Sequence, residues 1–328
     1  MDYNILITGG AGYIGAHVNK CLSEKGYKTI VLDNLTRGHR SFVKWGEFVE
    51  GNIGDADVLD RIFYNNSITS VIHLAAYSNV GESVLKPFMY WKNNVSETIS
   101  LIEKCVEYKI KRFIHSSTCS TYGKPQKIPI QENHVQKPIN PYGASKLAVE
   151  LLLKNLSNVY DLKYFILRYF NAAGADPDGN IGESHFPETH LIPIILQSVI
   201  EDDKVQVYGS DYDTKDGTCI RDYVHVTDLA NGHYQALRYL ENGGNSQECN
   251  LGLGKGYSVK EVIKCARIIT GHDITEINCP RRDGDPPILI ADTTLATNLL
   301  NWNPIYCKID DIIDTAWNWL KTSSFTVI

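Results

Sequence analysis

What this sequence lacks narrows it before any motif is read. No apolar stretch reaches the ~20 residues that a membrane-spanning helix needs, and the first β-branched run begins a few residues after Met1 with no cationic and apolar leader before it. A cytoplasmic protein with no membrane partner is therefore expected. No basic run occurs, and 38 acidic residues against 32 basic ones give a formal net charge of -6. That balance disfavours nucleic acid as a partner, so any phosphate chemistry rests on a few placed Arg or Lys side chains. The eight cysteines (Cys21, Cys105, Cys119, Cys219, Cys249, Cys265, Cys279 and Cys307) form no Cys-x-x-Cys pair and no partnered His spacing. No metal and no disulfide framework are expected; the thiols read as reduced and mostly buried. Repeats and low-complexity tracts are also missing.

The 328 residues are 43% hydrophobic and 21% charged, enough for a large core in one large or two modest domains. Short β-branched runs recur at Ile5-Leu6-Ile7, Thr29-Ile30-Val31-Leu32, Val71-Ile72-His73-Leu74, Phe113-Ile114-His115 and Phe165-Ile166-Leu167, with helical patterns between them. Strands that are apolar throughout belong to a parallel sheet covered on both faces, a doubly wound, Rossmann-type α/β fold. After Asn171 the rhythm gives way to Ala173-Gly174-Ala175-Asp176-Pro177-Asp178-Gly179, a loop leading out of a first domain over 1–172. A smaller mixed α/β domain over 173–328 follows, with a helix around Leu191–Glu201 and a helical tail ending near Leu320. Part of the chain near 222–255 is expected to return to the first domain.

Thr8-Gly9-Gly10-Ala11-Gly12-Tyr13-Ile14-Gly15 lies between the first strand and a helix. Its glycines permit a tight turn and close approach of backbone to a pyrophosphate held at the positive end of that helix. Asp33 closes the second strand, where an acid accepts a bond from an adenosine ribose and repels a 2′-phosphate; NAD is favoured over NADP, with Arg37 and Arg40 weighing slightly against. Gly51-Asn52-Ile53 and Leu74-Ala75-Ala76 close the next two strands at the same carboxyl edge, where ligands of such sheets bind.

Tyr142 and Lys146, in Pro141-Tyr142-Gly143-Ala144-Ser145-Lys146, open an apolar helix one turn apart on one face. Holding a tyrosine as phenolate at pH 7 takes about 4 kcal/mol. A unit positive charge ~4 Å away at an effective dielectric of ~20 supplies roughly that much; burial opposes it, and a second cation such as an oxidised nicotinamide helps. An ordinary helix start, with the Tyr packed and the Lys solvated, has the same spacing.

With Thr8-Gly9-x-x-Gly12-x-x-Gly15 and Tyr142-x-x-x-Lys146 together, the sequence resembles the extended short-chain dehydrogenase/reductase superfamily. Val80-Gly81-Glu82-Ser83-Val84, Leu167-Arg168-Tyr169-Phe170-Asn171, Asp216-Gly217-Thr218-Cys219-Ile220-Arg221-Asp222-Tyr223-Val224-His225-Val226 and Pro280-Arg281-Arg282-Asp283-Gly284-Asp285 narrow the resemblance to the UDP-glucose/UDP-galactose 4-epimerase family, over nearly the whole chain. The resemblance implies a homodimeric NAD enzyme in which Tyr142, as phenolate, takes the proton of the sugar 4-hydroxyl while a hydride passes from C4 to NAD. The 4-keto sugar turns over on its UDP anchor and the hydride returns to the opposite face. Thr118 is implied on the sugar 4-oxygen; Lys146 is implied to hold the cofactor ribose and lower the tyrosine pKa.

Cofactor contacts are implied for Gly9, Gly12, Tyr13, Ile14, Gly15, Asp33, Asn34, Leu35, Thr36, Gly38, Asn52, Ile53, Leu74, Ala75, Ala76, Ser78, Asn94, Ser116, Tyr142, Lys146, Tyr169 and Phe170. Substrate contacts are implied for Thr118, Tyr142, Asn171, His190, Leu191, Val207, Tyr208, Arg221, Arg282, Asp285 and Leu289. Arg221 and Arg282 offer forked donors for a diphosphate, and Asp285 is expected on the UDP ribose.

The chain departs from the family pattern at Asn52, where members carry Asp, at Ser78, where some place a Lys, and at His190, which replaces an Asn. Leu289 stands where some relatives have a pocket-walling Tyr, so the expectation includes UDP-N-acetylhexosamines. A sugar-nucleotide dehydratase needs an acid pair after Thr118; Cys119 and Ser120 stand there and cannot donate protons in its place. Epimerases of UDP-glucuronate or UDP-pentoses stay open, and a non-catalytic NAD-binding regulator has no use for Tyr142, Lys146 and Thr118 together. His73 and His115 read as hydrogen-bonded core residues, and Trp317 and Trp319 as packing groups. The helix after Lys146 is apolar except for a polar stripe of Glu150 and Lys154, and with a helix near Val95–Tyr108 it is the expected dimer face.

Overall fold

The structure, a computed structural model, describes residues 4–282 and 284–322; Asp283, in the Pro280–Asp285 segment, lies outside the described residues. In chain order the strands are β1 (Asn4–Thr8), β2 (Lys28–Asp33), β3 (Glu47–Glu50), β4 (Ile68–His73), β5 (Arg112–Thr118), β6 (Lys163–Tyr169), β7 (Asn171–Ala173), β8 (Val205–Tyr208), β9 (Ile220–Arg221), β10 (Tyr223–His225), β11 (Gln247–Leu251), β12 (Tyr257–Ser258), β13 (Glu276–Cys279) and β14 (Ile288–Leu289). The helices are α1 (Tyr13–Glu24), α2 (Ala56–Asn65), α3 (Val80–Leu85), α4 (Pro87–Trp91), α5 (Glu97–Glu107), α6 (Pro141–Leu156), α7 (Leu191–Glu201), α8 (Val226–Glu241), α9 (Val259–Thr270), α10 (Thr294–Leu300) and α11 (Ile309–Thr322), with a π-helical turn over Lys92–Ser96 joining α4 to α5.

Alternation of side chains along β1 explains why its polarity does not alternate. Ile5 and Ile7 enter one core with Val18, Leu22, Leu229 and Leu237, while Leu6 enters another with Leu59, Leu101 and Val149. Both faces are dry, so the central Ile5, Leu6 and Ile7 are all apolar. The sheet has seven strands in the order β11-β6-β5-β4-β1-β2-β3, all parallel. Its order reverses between β1 and β4, the switch point at which a doubly wound sheet opens a crevice at its carboxyl edge.

β11 and α8 lie beyond the Gly174 loop in sequence, yet β11 pairs with β6 and α8 packs on α1. α10 packs in the first core against α8 and β11, and most of the other elements form a smaller mixed unit around a third core of α7, α9 and α11, with β8 pairing β13 and β9 lying between β12 and β14. Among the described residues no helix is long and apolar enough to cross a membrane.

Two expectations need correction. Glu150 does not share a surface polar stripe with Lys154: it is fully buried and its carboxylate receives Arg168 Nη2 at 2.6 Å, Arg168 Nε at 3.0 Å, Gln136 Nε2 at 3.0 Å and Ser117 Oγ at 2.5 Å. The cause is Arg168 on β6, whose buried guanidinium needs an anion beside it. His73 is hydrogen-bonded, to Thr8 at 2.8 Å and Thr98 at 3.0 Å, whereas buried His115 stacks on His73 and bonds through neither ring nitrogen.

Candidate active site

The Gly loop sits at the switch point. Gly9 has φ +73°, and a Cβ there would meet Ala75 N at 2.5 Å; a Cβ on Gly15 would meet Gly9 O at 2.1 Å. Both glycines are thus required by close backbone approach. At Gly12 a Cβ would touch only Gly9 O, at 3.3 Å, so the space above the loop is open. Gly12 caps α1 without a side-chain bond, and the first turn holds no acid. The N-terminal amides of α1 therefore face that space as unopposed donors, which suits a pyrophosphate.

Asp33, at the end of β2, accepts from Ala11 N at 3.0 Å and Leu35 N at 2.9 Å; burial nonetheless raises its pKa. Leu35 (φ 57°), exposed Thr36 and Gly38 fold the following turn back onto the Gly loop, where a Cβ on Gly38 would meet Ala11 at 2.9 Å. Asn34 and Asn52 share a 2.7 Å bond beside it. Arg37 is engaged by Glu82 at 2.9 Å and Arg40 stacks on Phe48, so neither stands at Asp33 to answer a 2′-phosphate. Ile53 is buried, Leu74, Ala75 and Ala76 are half-buried along the crevice, and Ser78 is exposed. Tyr13 is buried, its hydroxyl donating to Gly174 O at 2.5 Å, while Ile14 packs against the first core.

On the far side of the switch point, β5 ends at Thr118. Asn140 caps α6 by accepting from Gly143 N at 2.8 Å, and Pro141 takes the first helical position, where its missing N–H costs nothing. Tyr142 and Lys146 both end up buried. Lys146 Nζ donates to Ser116 O at 2.8 Å, and Ser116 Oγ meets the hydroxyl of Tyr169. Thr118 Oγ1 accepts from Ser120 N at 3.1 Å and lies close enough to the Tyr142 phenol to draw its pKa down. Phe170 is buried beside Cys119.

The free protein does not hold Tyr142 as phenolate. Burial pushes its pKa well up, Tyr169 adds to this, and nearby Thr118 only partly reverses it. Burial also lowers Lys146 to about 8, against a weaker pull from Glu150. The amine therefore stays mostly cationic at pH 7, but its charge does not overcome desolvation of the phenol.

Gly143 and Ser145, to which the sequence reading gave no role, hold this geometry together with Asn94. A Cβ on Gly143 would meet Ser120 O at 2.6 Å, so the glycine lets α6 press against the turn that carries Thr118. Asn94 uses all its hydrogen-bonding positions on protein: it accepts from Tyr77 N and Asn93 and donates to Tyr77 O and Ser145 Oγ, with Ser145 donating to Tyr142 O. The one available signal was a glycine and a serine placed between Tyr142 and Lys146.

Several of the expected substrate residues are linked by direct contacts. Leu289 packs with Cys119, Tyr122 and Phe170, and in the β9–β14 register it faces Arg221. Arg221 Nη2 donates to Asp285 Oδ1 at 2.5 Å, and Arg282 lies 4.0 Å over the ring of Tyr208. Between them Asp222 accepts from the amides of Leu253, Gly254 and Ala291, tying three segments together, and its own carbonyl receives Asn171 N. His190 caps α7 and Leu191 begins it. Val207 is fully enclosed in the third core, which leaves only its backbone for a ligand.

A family model described as NAD dependent epimerase/dehydratase family matches residues 5–252. The chain belongs to this family. It is 51% identical over 318 residues to the UDP-glucose 4-epimerase of Halalkalibacterium halodurans, covering 97% of this chain and 95% of that one. It is also similar to the solved UDP-glucose 4-epimerase from Brucella ovis in complex with NAD, at 46% identity and a TM-score of 0.94, covering 96% and 98%. The Bifidobacterium longum UDP-glucose 4-epimerase, solved with NAD+ and UDP, is 36% identical with a TM-score of 0.93 over 99% of this chain and 100% of that one. NAD is the cofactor of the family, and the open Gly loop and Asp33 fit it.

Proposed function

We propose that this enzyme interconverts UDP-galactose and UDP-glucose. The carrying observation is the placement of Tyr142, beside Thr118, at the carboxyl edge of the sheet, with Lys146 one turn along and the bare N-terminus of α1 across the switch point. Tyr142 removes the C4 hydroxyl proton and later returns it, Thr118 holds that oxygen, and Lys146 orients the cofactor ribose. NAD, when bound, supplies the hydride acceptor for C4 and, oxidised, the second positive charge that the buried phenol needs. Arg221, Arg282 and Asp285 anchor UDP while the sugar turns between its two faces. Cys119 is pushed up to about 12 by burial, so it cannot serve as the acid that elimination of water would require. Residues 1–172 serve the cofactor and 173–328 the sugar nucleotide, apart from the 222–255 stretch, and eight free cysteines suit the reducing cytoplasm.

The test is conversion of UDP-galactose to UDP-glucose without added reductant. Tyr142→Phe is expected to lower kcat at least ~10³-fold while leaving NAD bound; substantial turnover by the variant would sink the mechanism. The reading includes a homodimer through α5 and α6. Exposed Phe88 (90%), Leu85 (82%), Leu151 (53%) and Trp91 (41%) offer an apolar face beside these helices. Sedimentation at micromolar concentration should give the dimer mass; a monomer alone would refute it.

A further inference from the structure

Away from Tyr142, a second set of side chains converges on the segment that runs into α7. Glu183, His185, Glu188 and His190 each place one ligand atom within 4.8 Å of the others. His185 Nδ1 is 3.3 Å from Glu183 Oε1 and 3.6 Å from Glu188 Oε2, and His190 Nδ1 is 2.7 Å from Glu183 Oε1 and 3.2 Å from Glu188 Oε1. Four ligands held at ~2.0–2.2 Å around a tetrahedral ion are separated by about 3.3 Å along each edge. Three of the four nitrogen-to-oxygen edges here lie near that length.

Two more observations favour a cation at the centre over a set of ordinary ion pairs. The Glu183 and Glu188 side chains are only 7% and 5% exposed, so both carboxylates are desolvated anions that need close compensation. His185 Nδ1 is buried and makes no hydrogen bond, although an oxygen of each carboxylate flanks it. A ring N–H would align with one of those oxygens; a lone pair directed between them is the arrangement of a shared metal.

We propose that Glu183, His185, Glu188 and His190 bind one divalent transition-metal ion, with zinc the best match. Two neutral imidazoles and two carboxylates give a charge-neutral complex with Zn²⁺, and four protein ligands make a closed, structural centre. The ion fixes a segment that already touches the cofactor loop. Trp319 Nε1 donates to Glu183 O at 3.0 Å, His39 Nε2 bonds Ser184 O at 2.9 Å, and Tyr13 of the Gly loop meets the His185 ring edge-on at 6.3 Å. Ligation through Nδ1 leaves the proton of His190 on Nε2, a fixed donor directly before Leu191. That last consequence rests on the UDP-sugar reading; the metal centre does not. The sequence reading sought cysteine-based spacing and passed over Glu183-x-His185-x-x-Glu188-x-His190.

The experiment uses the full chain, stripped with EDTA, freed of chelator, then titrated separately with Zn²⁺ and Co²⁺. One ion per chain is expected to bind at micromolar concentration or tighter, and Co²⁺ should give the intense visible bands of a tetrahedral site. His185→Asn and Glu188→Gln should each weaken Zn²⁺ binding at least ~30-fold while NAD binding persists. No stoichiometric uptake, weak octahedral Co²⁺ bands, or uptake unchanged in both variants would overturn the proposal. The Co²⁺ spectrum needs no variant, so a substitution that impairs folding does not blunt the test. Turnover is not the readout, so failure here and failure of the epimerase reading are distinguishable.

Discussion

Lys146 shows how the site trades stability for chemistry at a single residue. Its folded pKa of about 8 lies below the usual lysine value of 10.5, because burial disfavours the ammonium. For a depressed base, the contribution to stability is present above the unfolded value and lost as pH falls through the folded one. Lys146 therefore costs stability increasingly from pH 10.5 down to about 8, reaching about 3 kcal/mol below that. The lost bond to Ser116 O offsets about 1 kcal/mol of any gain from its removal. Lys146→Met is expected to melt higher than the wild type at pH 7, the advantage vanishing near pH 10.5, and to lose turnover; thermal melts across that range check it. Leu289 is the residue for specificity. The expectation is turnover of UDP-N-acetylglucosamine by the wild type and at least ~10-fold selective loss of it in Leu289→Tyr, read as initial rates against UDP-galactose. No wild-type turnover of the N-acetyl sugar would reject this. Tyr142 and Lys146 were legible because their relation is local, four residues on one helix. Glu150 was not, since its burial depends on Arg168, which only the sheet brings near.

The same limit applies to whole elements. Strands β1, β2, β4, β5 and β6 declare themselves as apolar runs, and Asn140 and Pro141 mark the start of α6 by ordinary capping chemistry. The π-helical turn over Lys92–Ser96 has no periodicity to give it away, yet it presents Asn94 to both Tyr77 and Ser145. How closely α6 approaches the Thr118 turn is likewise a packing outcome that a glycine permits and does not announce. Gly143→Ala places a methyl 2.6 Å from Ser120 O, so the helix or the turn must shift. The expected result is a kcat reduced ~10- to 100-fold with KM for the UDP-sugar within about threefold, since the anchor at Arg221 is untouched. Equal loss in both parameters, measured by steady-state kinetics, would contradict a purely positioning role.

At the scale of the molecule, the doubly wound sheet and the existence of a second, smaller unit were readable from the alternation of strands and helices and its break after Asn171. The precise partners of β9, β12 and β14, strands of two residues each, were not, because such short pairings carry no pattern of their own. The charge distribution follows the same logic as the fold: a net-negative chain leaves helix α1, at the Gly loop, without an acid at its start.

The chain's return through α8 and β11 has a consequence for autonomy. Residues 1–172 alone would leave the outer edge of β6 with unpaired amides and carbonyls, and would strip from Val18, Leu22 and Phe165 the cover provided by Leu229, Leu237 and Cys249. The seven-stranded unit is thus completed by chain that is made after part of the smaller unit. The two cannot be inherited, expressed or unfolded as separate modules: what looks in sequence like a joint between domains is in space a weave.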